Sequence, residues 1–327
     1  MAFNTDKVRQ GAAGNTAGGA ASGYGFFAAR DTTESQITQV SFASSSDLTD
    51  WGNLTVRRGA IAGFTDGSGY GYVAGGTIGS GVHYNVIDRW SVASSGSAAT
   101  VGYLSVTRSG GVATQNSSYG WTAGGYASYA TFTYNVIDRF AFGSSSNASD
   151  WGDTINPMGG GCSGGIGFAG GSWDGSYSYH YGSAGACGGT WYRDDKIARF
   201  SQASSSNESV ISDMGAGCNG NVGVNDGTYA YLCGGYYNGS TVSTIFRYTM
   251  GSSSTASTFS DMGLASNYQA TSQGDDVLLK AGSGSSSDVR SWSMASSSNA
   301  AAYADISTVD GGSGTDEYTY TYFQDPN

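Results

Sequence analysis

The sequence predicts an all-β fold built from six copies of one four-stranded unit. The stretch YNVIDRW begins at Tyr84, and YNVIDRF begins at Tyr134, fifty residues later. The chain also contains 54 Gly among many short apolar runs, as expected of short strands joined by tight turns. Six serine-rich stretches recur, mostly about fifty residues apart: VSFASSS (40–46), WSVASSG (90–96), FAFGSSS (140–146), FSQASSS (200–206), YTMGSSS (248–254) and WSMASSS (292–298). A period of this length is typical of repeat architectures.

Each copy is predicted to contain four strands in chain order. The first is rich in glycine, because an innermost strand leaves little room for side chains. The second is aromatic and ends in Gly-Gly, as in YGYVAGG (70–76), which supplies positive φ for the turn. The third contains Ile-Asp-Arg and an aromatic residue, and the fourth is typified by DWGNL (50–54). Four strands repeated radially predict a six-bladed β-propeller, with seven blades and a stunted last blade as the alternative.

The repeats predict one domain over residues 1–306. Residues 307–327 would form a C-terminal strand that closes the seam of the ring or contacts a neighbouring subunit. The predicted blades span approximately 6–54, 55–104, 105–154, 155–214, 215–262 and 263–306.

The repeat resembles that of the kelch family. In that family a strand ending in Gly-Gly precedes a tyrosine-bearing strand and then a tryptophan-bearing one. The corresponding pairs here are Gly75-Gly76, Gly124-Gly125, Gly188-Gly189 and Gly234-Gly235, and the third-strand aromatics are Trp90, Phe140, Phe200, Tyr248 and Trp292. The resemblance implies the propeller fold but leaves the function open, because such propellers range from oxidases to scaffolds.

The charge balance excludes several classes of partner. The net charge is −11, and lysine occurs only at Lys7, Lys196 and Lys280. Because a basic stripe is missing, we expect no nucleic-acid partner. No run of about 18 apolar residues is present, so we expect no membrane insertion. The start MAFNTDKVRQGAAG lacks the apolar core of a signal peptide, which predicts synthesis in the cytoplasm.

No residue pattern points to an enzyme, a metal or another cofactor. The two histidines, His83 and His180, are expected on opposite rims of the propeller, so that one copper ion could not bind both. Candidate acids recur from copy to copy, which favours a structural role in turns: Asp50, Asp150, Asp153, Asp213, Asp261 and Asp305.

Repeated arginines and cysteines are also expected to be structural. Arg89, Arg139, Arg199 and Arg247 occupy one position of the third strand. Each is predicted to bind a carboxylate or carbonyl from a fourth strand and lock adjacent blades, with ligand contacts as the alternative. Aligning MGGGCSGG with MGAGCNGN, and ACGG with LCGG, equates Cys162 with Cys218 and Cys187 with Cys233. These residues are read as small buried thiols, with disulfides inside each blade as the alternative.

Aromatic residues on the loops are the candidate binding residues. We expect the connections after the second strands to leave on one rim, shared with the fourth-to-first connections. The candidates on this rim are Tyr126, Tyr129, Phe132, Trp191, Tyr192, Tyr236 and Tyr237. An insertion within 169–184, assigned to the connection between the first and second strands of blade four, supplies a second group: Trp173, Tyr177, Tyr179, His180 and Tyr181. Tyr, Trp, Ser, Gly and Asn together are typical of adaptable recognition surfaces.

The repeat is also similar to that of propeller proteins encoded by tailed phages, particularly marine and cyanobacterial ones. This resemblance implies a non-enzymatic virion protein, such as a tail-fibre, knob or decoration subunit, that is made without a signal and then works outside cells. Its partners would be other virion proteins and a glycan or protein of the host surface, with a homo-oligomer as an open possibility. The alternative is a lectin-like propeller of cellular origin, and a propeller glycosidase or oxidase is a weaker third reading.

Overall fold

The computed structural model describes most of the repeated region of the chain. The described residues are 24–28, 35–42, 48–67, 69–78, 81–128, 132–156, 165–167, 169–187, 190–263, 265, 270–273, 277–280, 288–305 and 322–324. Every regular element in this part of the chain is a β-strand, and no helix there could cross a membrane.

The described residues form eight sheets, and six of them, numbered 1 to 6 here, follow one another along the chain as the repeats do. Sheet 1 contains β1 (Tyr24–Ala28), β2 (Gln36–Ser41) and β3 (Thr49–Asn53). Sheet 2 contains β4 (Ala62–Thr65), β5 (Tyr70–Ala74), β6 (Val86–Ser91) and β7 (Ala99–Tyr103). Sheet 3 contains β8 (Val112–Gln115), β9 (Tyr119–Ala123), β12 (Val136–Ala141) and β13 (Ser149–Asp153), and its loop carries the hairpin β10 (Tyr126–Ser128) and β11 (Phe132–Thr133).

The second half of the chain continues the series. Sheet 4 contains β14 (Gly170–Trp173), β15 (Tyr177–Cys187), β16 (Thr190–Ser201) and β17 (Ser209–Asp213). Sheet 5 contains β19 (Val222–Asn225), β20 (Tyr229–Cys233), β23 (Thr244–Thr249) and β24 (Ser257–Asp261), with β18 (Cys218–Asn219), β21 (Tyr236–Tyr237) and β22 (Ser240–Thr241) beside it. Sheet 6 contains β25 (Ala270–Gln273), β26 (Val277–Lys280), β27 (Asp288–Trp292), β28 (Ala301–Asp305) and β29 (Tyr322–Gln324).

The predicted order of antiparallel strands is confirmed in the described sheets, but a glycine-rich first strand is not general, since β8 (VATQ) and β25 (ATSQ) contain no glycine. Neighbouring strands in chain order pair antiparallel, as β4, β5, β6 and β7 do in sheet 2. The pairing of the last two repeat strands contains a bulge or irregularity in all six sheets. Bulges increase strand twist, which suits a strongly twisted blade. The predicted first strand of the first repeat lies outside the described residues.

The alignment of the fourth repeat was wrong. Gly170 is opposite Tyr181 in the register of β14 and β15, as Val112 is opposite Ala123 in sheet 3. The stretch 177–181 is therefore the second-strand core, and the extra residues lengthen the β15–β16 hairpin after it. Cys187 lies at the end of this hairpin, so it is not equivalent to Cys233. The alignment placed the second strand of this repeat at Cys-Gly-Gly because the same three residues follow the second strand in the next repeat. A short identical stretch does not determine which residues of neighbouring strands pair.

Hydrophobic clusters join each sheet to the next. One joins sheets 1 and 2, the next joins 2 and 3, and others join 3 to 4, 4 to 5 and 5 to 6. A sixth cluster contains Phe27 and Val40 of sheet 1 together with Val289 of sheet 6. The core among the described residues is thus divided into layers between sheet faces, including one between the last sheet and the first.

Outer strands are tied to the following sheet by a repeated hydrogen bond. The indole of Trp51 donates to the carbonyl of Ser91 at 2.8 Å, and that of Trp151 donates to Ser201 at 2.9 Å. The hydroxyl of Tyr303, in sheet 6, donates to the carbonyl of Ser41, in sheet 1, at 2.7 Å. In each case an aromatic side chain of an outer strand donates to a backbone carbonyl of the neighbouring sheet. Sheets 6 and 1 are therefore linked in the same way as sheets 1 and 2 and sheets 3 and 4.

First strands contact each other in series. The strand β4 contacts β8, β8 contacts β14, β14 contacts β19, and β19 contacts β25. The C-terminal strand β29 pairs in parallel with β25 and also contacts β4 and β1. It therefore lies between the first strands of sheets 6 and 2, beside sheet 1.

Four of the repeated acids accept backbone N–H groups: Asp50 and Asp150 do so inside β3 and β13, and Asp213 and Asp261 do so at the ends of β17 and β24. Asp50 and Asp150 each accept the N–H of the glycine two residues later, at 3.1 Å. Asp213 and Asp261 do the same at 2.9 and 2.6 Å. Such bonds stabilise the local backbone rather than supply reactive carboxylates.

The repeated arginines do not have the predicted partners. The guanidinium of Arg89 stacks on Tyr70 at 4.7 Å from the ring centroid, and that of Arg139 stacks on Tyr119 at 4.3 Å and on Trp151 at 3.9 Å. Arg199 and Arg247 stack in the same way on rings of their own sheets. The prediction of carboxylate pairs between blades is wrong for these residues, because their half-exposed face offers rings and not acids.

Candidate recognition site

The connections after the second strands lie on the same rim as the fourth-to-first connections. Isolated bridges join Gly59 to Thr77 and Ser109 to Tyr126. In sheet 5 the equivalent pairing joins Asn219 to Tyr236. The predicted sharing of one rim is therefore confirmed for these repeats.

The predicted rim aromatics differ in accessibility. Tyr126 is 3% exposed, and its hydroxyl donates to the carbonyl of Ala184 at 3.2 Å, so it packs between sheets 3 and 4 and is not a surface contact. Tyr192 is 47% exposed. Tyr129, and the side chains of Phe132 and Trp191, lie outside the described part of the structure.

A polar and aromatic cluster forms where the long β15–β16 hairpin meets sheet 5. The guanidinium of Arg193 stacks on the Tyr236 ring, 3.9 Å from its centroid, and its Nε donates to Oδ1 of Asn219 at 2.8 Å. The hydroxyl of Tyr237 donates to the carbonyl of Met214 at 3.1 Å. Tyr192 precedes Arg193 in β16, so its side chain points to the opposite face of the hairpin, and it is 47% exposed. We call Tyr192, Arg193, Asn219, Tyr236 and Tyr237 the hairpin cluster.

Sequence reasoning missed Arg193 and Asn219. They belong to different repeats, so neither repeat alone signals their contact. A polar residue beside an aromatic one in TWYRDD (190–195) was the only available signal.

The second group of predicted candidates is largely core. Tyr179, His180 and Tyr181 lie in β15 and are at most 1% exposed. The Tyr179 hydroxyl donates to Oδ2 of Asp174 at 2.5 Å, and burial raises the pKa of both tyrosines. Trp173 and Tyr177 are half-buried. The expectation of a binding loop between the first and second strands is wrong, because these residues form the two strands themselves.

Buried ion pairs were the second feature that the sequence did not reveal. Arg58 donates to Oδ2 of Asp88 at 3.0 Å, and Arg108 binds Asp138, with all four side chains 0% exposed. Burial lowers the pKa of both arginines, and the facing carboxylates oppose this shift. Their carboxylates also accept backbone N–H groups, so each pair acts as a structural joint.

The histidines and cysteines do not form a metal site in the described residues. No group of three or more His, Cys, Asp and Glu there could hold an ion. His180 belongs to a second strand, so its expected place on the rim opposite His83 is wrong. Its Nδ1 lies 2.7 Å from Oε1 of Glu208, whereas Nδ1 of His83 lies 3.0 Å from Oγ of Ser109.

The described cysteines are buried thiols. No disulfide joins Cys218 and Cys233, so the alternative of a disulfide is wrong for this pair. Burial raises the pKa of both thiols, which makes them unreactive. Cys162 and the side chain of Cys187 lie outside the described part of the structure. Comparison of the chain with protein-family models and with curated proteins found no match.

Proposed function

We propose that the chain is a six-bladed kelch-like propeller that serves, without catalysis, as a virion structural or appendage protein. The six clusters between sheet faces support a closed ring, as does the bond from Tyr303 to Ser41. The position of β29 between β25 and β4 supports a seam closed by the C-terminal strand. The ring would be a tail-fibre, knob or decoration subunit that presents one rim for host recognition or assembly.

The hairpin cluster is the observation that carries the recognition role. The exposed Tyr192 ring offers a stacking face on one side of the hairpin. Arg193 points to the other side, where the buried Asn219 accepts its Nε–H and helps to fix the guanidinium. The stack of Arg193 on Tyr236 holds the guanidinium in place, so little freedom is lost when a ligand binds. Aromatic and arginine anchors of this kind dominate binding energies.

The partners proposed are other virion proteins and a glycan or protein of the host surface. The virion role rests on the likeness of the repeat IDRF…SSSN to phage propellers. A lectin-like propeller of cellular origin is the second candidate, because an exposed aromatic ring such as that of Tyr192 is also suited to stacking on a sugar. The isolated chain would then bind glycans without any particle.

Replacing Tyr192 with Ala tests the rim directly. Tyr103 is the matched control, since it is 46% exposed against 47% for Tyr192 but lies on the outer strand β7. We expect Tyr192→Ala to weaken adsorption of the purified chain to host cells or glycan arrays about tenfold or more, with an unchanged melting temperature. Tyr103→Ala should change neither. Equal adsorption by both variants would contradict the proposed rim.

Incorporation into particles separates the two candidate functions. A virion protein should be found in purified phage particles at constant stoichiometry, whereas a cellular lectin should be absent from them. Incorporation of Tyr192→Ala into particles then distinguishes assembly from host recognition. Reduced incorporation indicates that the rim contacts another virion protein, whereas normal incorporation with reduced adsorption to the host indicates recognition.

A further inference from the structure

Three consecutive joints between sheets bury a basic side chain beside a carboxylate. In each joint the carboxylate also accepts the backbone N–H of the residue two positions after the preceding outer strand. Thr55 donates to Asp88 at 3.0 Å, Ser105 to Asp138 at 2.9 Å and Ile155 to Glu208 at 3.1 Å. The three carboxylates therefore perform the same task at successive joints.

The third joint uses different residues from the first two. Ala198 has the register position of Asp88 and Asp138, since it lies opposite Val210 as Asp138 lies opposite Asp150. The acid is supplied instead by Glu208, just before β17, and the basic side chain by His180 of β15. Both side chains are at most 1% exposed.

We infer that the joint between sheets 3 and 4 is pH-responsive, held by a His180–Glu208 ion pair that weakens when His180 loses its proton. The arginines of the two preceding joints stay charged near neutral pH, so of these three joints the one with His180 is the one that responds there. The repeat thus provides two internal controls for the third joint.

The charges around His180 favour its protonated form. Burial lowers the pKa of His180, but the facing Glu208 carboxylate and the more distant Asp194 raise it, and the net shift is upward. Asp194 is itself largely buried, which raises its pKa, and it binds the hydroxyl of Ser183. The Nε2 atom of His180 is buried without a hydrogen-bond partner among the described atoms.

The sign of the pH effect follows from that shift. A histidine whose folded pKa exceeds its unfolded value of about 6.5 stabilises the fold fully below pH 6.5. This contribution is lost as the pH rises through the folded pKa. The joint should therefore be tight in mildly acidic solution and looser in alkaline solution.

The joint also lies beneath the proposed recognition rim. His180 belongs to β15, one side of the long hairpin that carries Tyr192. If the proposed rim function holds, alkaline pH should weaken binding as well as the joint. That consequence rests on the proposed function, whereas the titration of His180 does not.

The two histidines of the chain make a direct titration feasible. NMR of the intact protein would show two imidazole Hε1 signals, one from each histidine, and His83→Gln assigns them. We expect His180 to titrate above pH 6.5, whereas His83, whose pKa is lowered by burial, titrates below it. A His180 signal that titrates at or below pH 6.5 would overturn the proposal, and no variant at this joint is needed for that result.

Glu208→Gln provides the second measurement. It keeps the shape of the side chain and removes its charge, so the pKa of His180 should fall by about one unit or more. The melting temperature of the wild type should drop by about 2–4 °C from pH 6 to pH 9 beyond any drop in Glu208→Gln. An unchanged His180 titration in a folded Glu208→Gln protein would assign the shift to another group. If this variant does not fold, the wild-type titration alone decides.

Discussion

Sheets 3 and 5 use the same backbone joint with opposite chemistry. In sheet 3 the joint buries Arg108 against Asp138. In sheet 5 the residue that corresponds to Arg108 is Cys218, because each directly precedes a residue, Ser109 or Asn219, that bridges to the connection after the second strand. The residue that corresponds to Asp138 is Phe246, because each has the same place in the register of the last two repeat strands. Cys218 and Phe246 pack in an apolar cluster with Tyr181 and Tyr248.

The difference shows that the fold needs a filled joint, not a charged one. Moving two charges out of water costs several kcal/mol, which their attraction and hydrogen bonds must offset. In sheet 3 the guanidinium also donates to the carbonyls of Gly124 and Val136, at 2.9 and 2.8 Å. Nε of Arg108 and Oδ1 of Asp138 have no hydrogen-bond partner among the described atoms, so the cost is only partly offset. An apolar pair avoids the same cost altogether.

Breaking the charged joint should have the largest effect. Asp138→Ala leaves Arg108 buried without its anion and leaves the N–H of Ser105 unpaired. We expect a loss of about 3–5 kcal/mol in the free energy of unfolding. Chemical denaturation monitored by tryptophan fluorescence measures it.

The double variant Arg108→Cys, Asp138→Phe then sharpens the comparison. It introduces the sheet 5 residues into sheet 3, and we expect it to be more stable than Asp138→Ala alone. The free energy of unfolding lost by the double variant is compared with the sum of the losses of Arg108→Cys and Asp138→Phe made singly. A loss that equals or exceeds this sum would contradict the equivalence of the joints.

Glycines on the sheet faces should give a smaller effect. A Cβ at Gly152 would collide with the backbone carbonyl of Ser206 in the next sheet, whereas one at Gly143 would meet no atom within 4 Å. Gly152→Ala should cost about 1–3 kcal/mol by overpacking. Gly143→Ala, with φ +71°, should cost only about 1 kcal/mol through its left-handed backbone. Thermal denaturation compares the stability lost by the two variants. Equal losses would mean that the backbone around Gly152 and Ser206 is not closely packed.

The strands were predictable because their signals are local. The alternation in VIDRWS and the glycines after YGYVA define β5, β6 and their turn without any distant residue. The buried ion pairs between sheets were not predictable. Arg58 and Asp88 are thirty residues apart, and only the strand register brings them together. The position of Tyr192 followed from loop composition, but the contact of Arg193 with Asn219 depends on the packing of two repeats. Tyr126 was misjudged because its loop folds back over sheet 4.

The ring itself is the central claim, and an experimental density map of the purified chain tests it most directly. The account predicts six sheets around one axis, with residues 322–324 beside β25 and the Tyr303 hydroxyl bound to the carbonyl of Ser41. A seventh sheet, or an open arc in which sheets 6 and 1 do not meet, would contradict it.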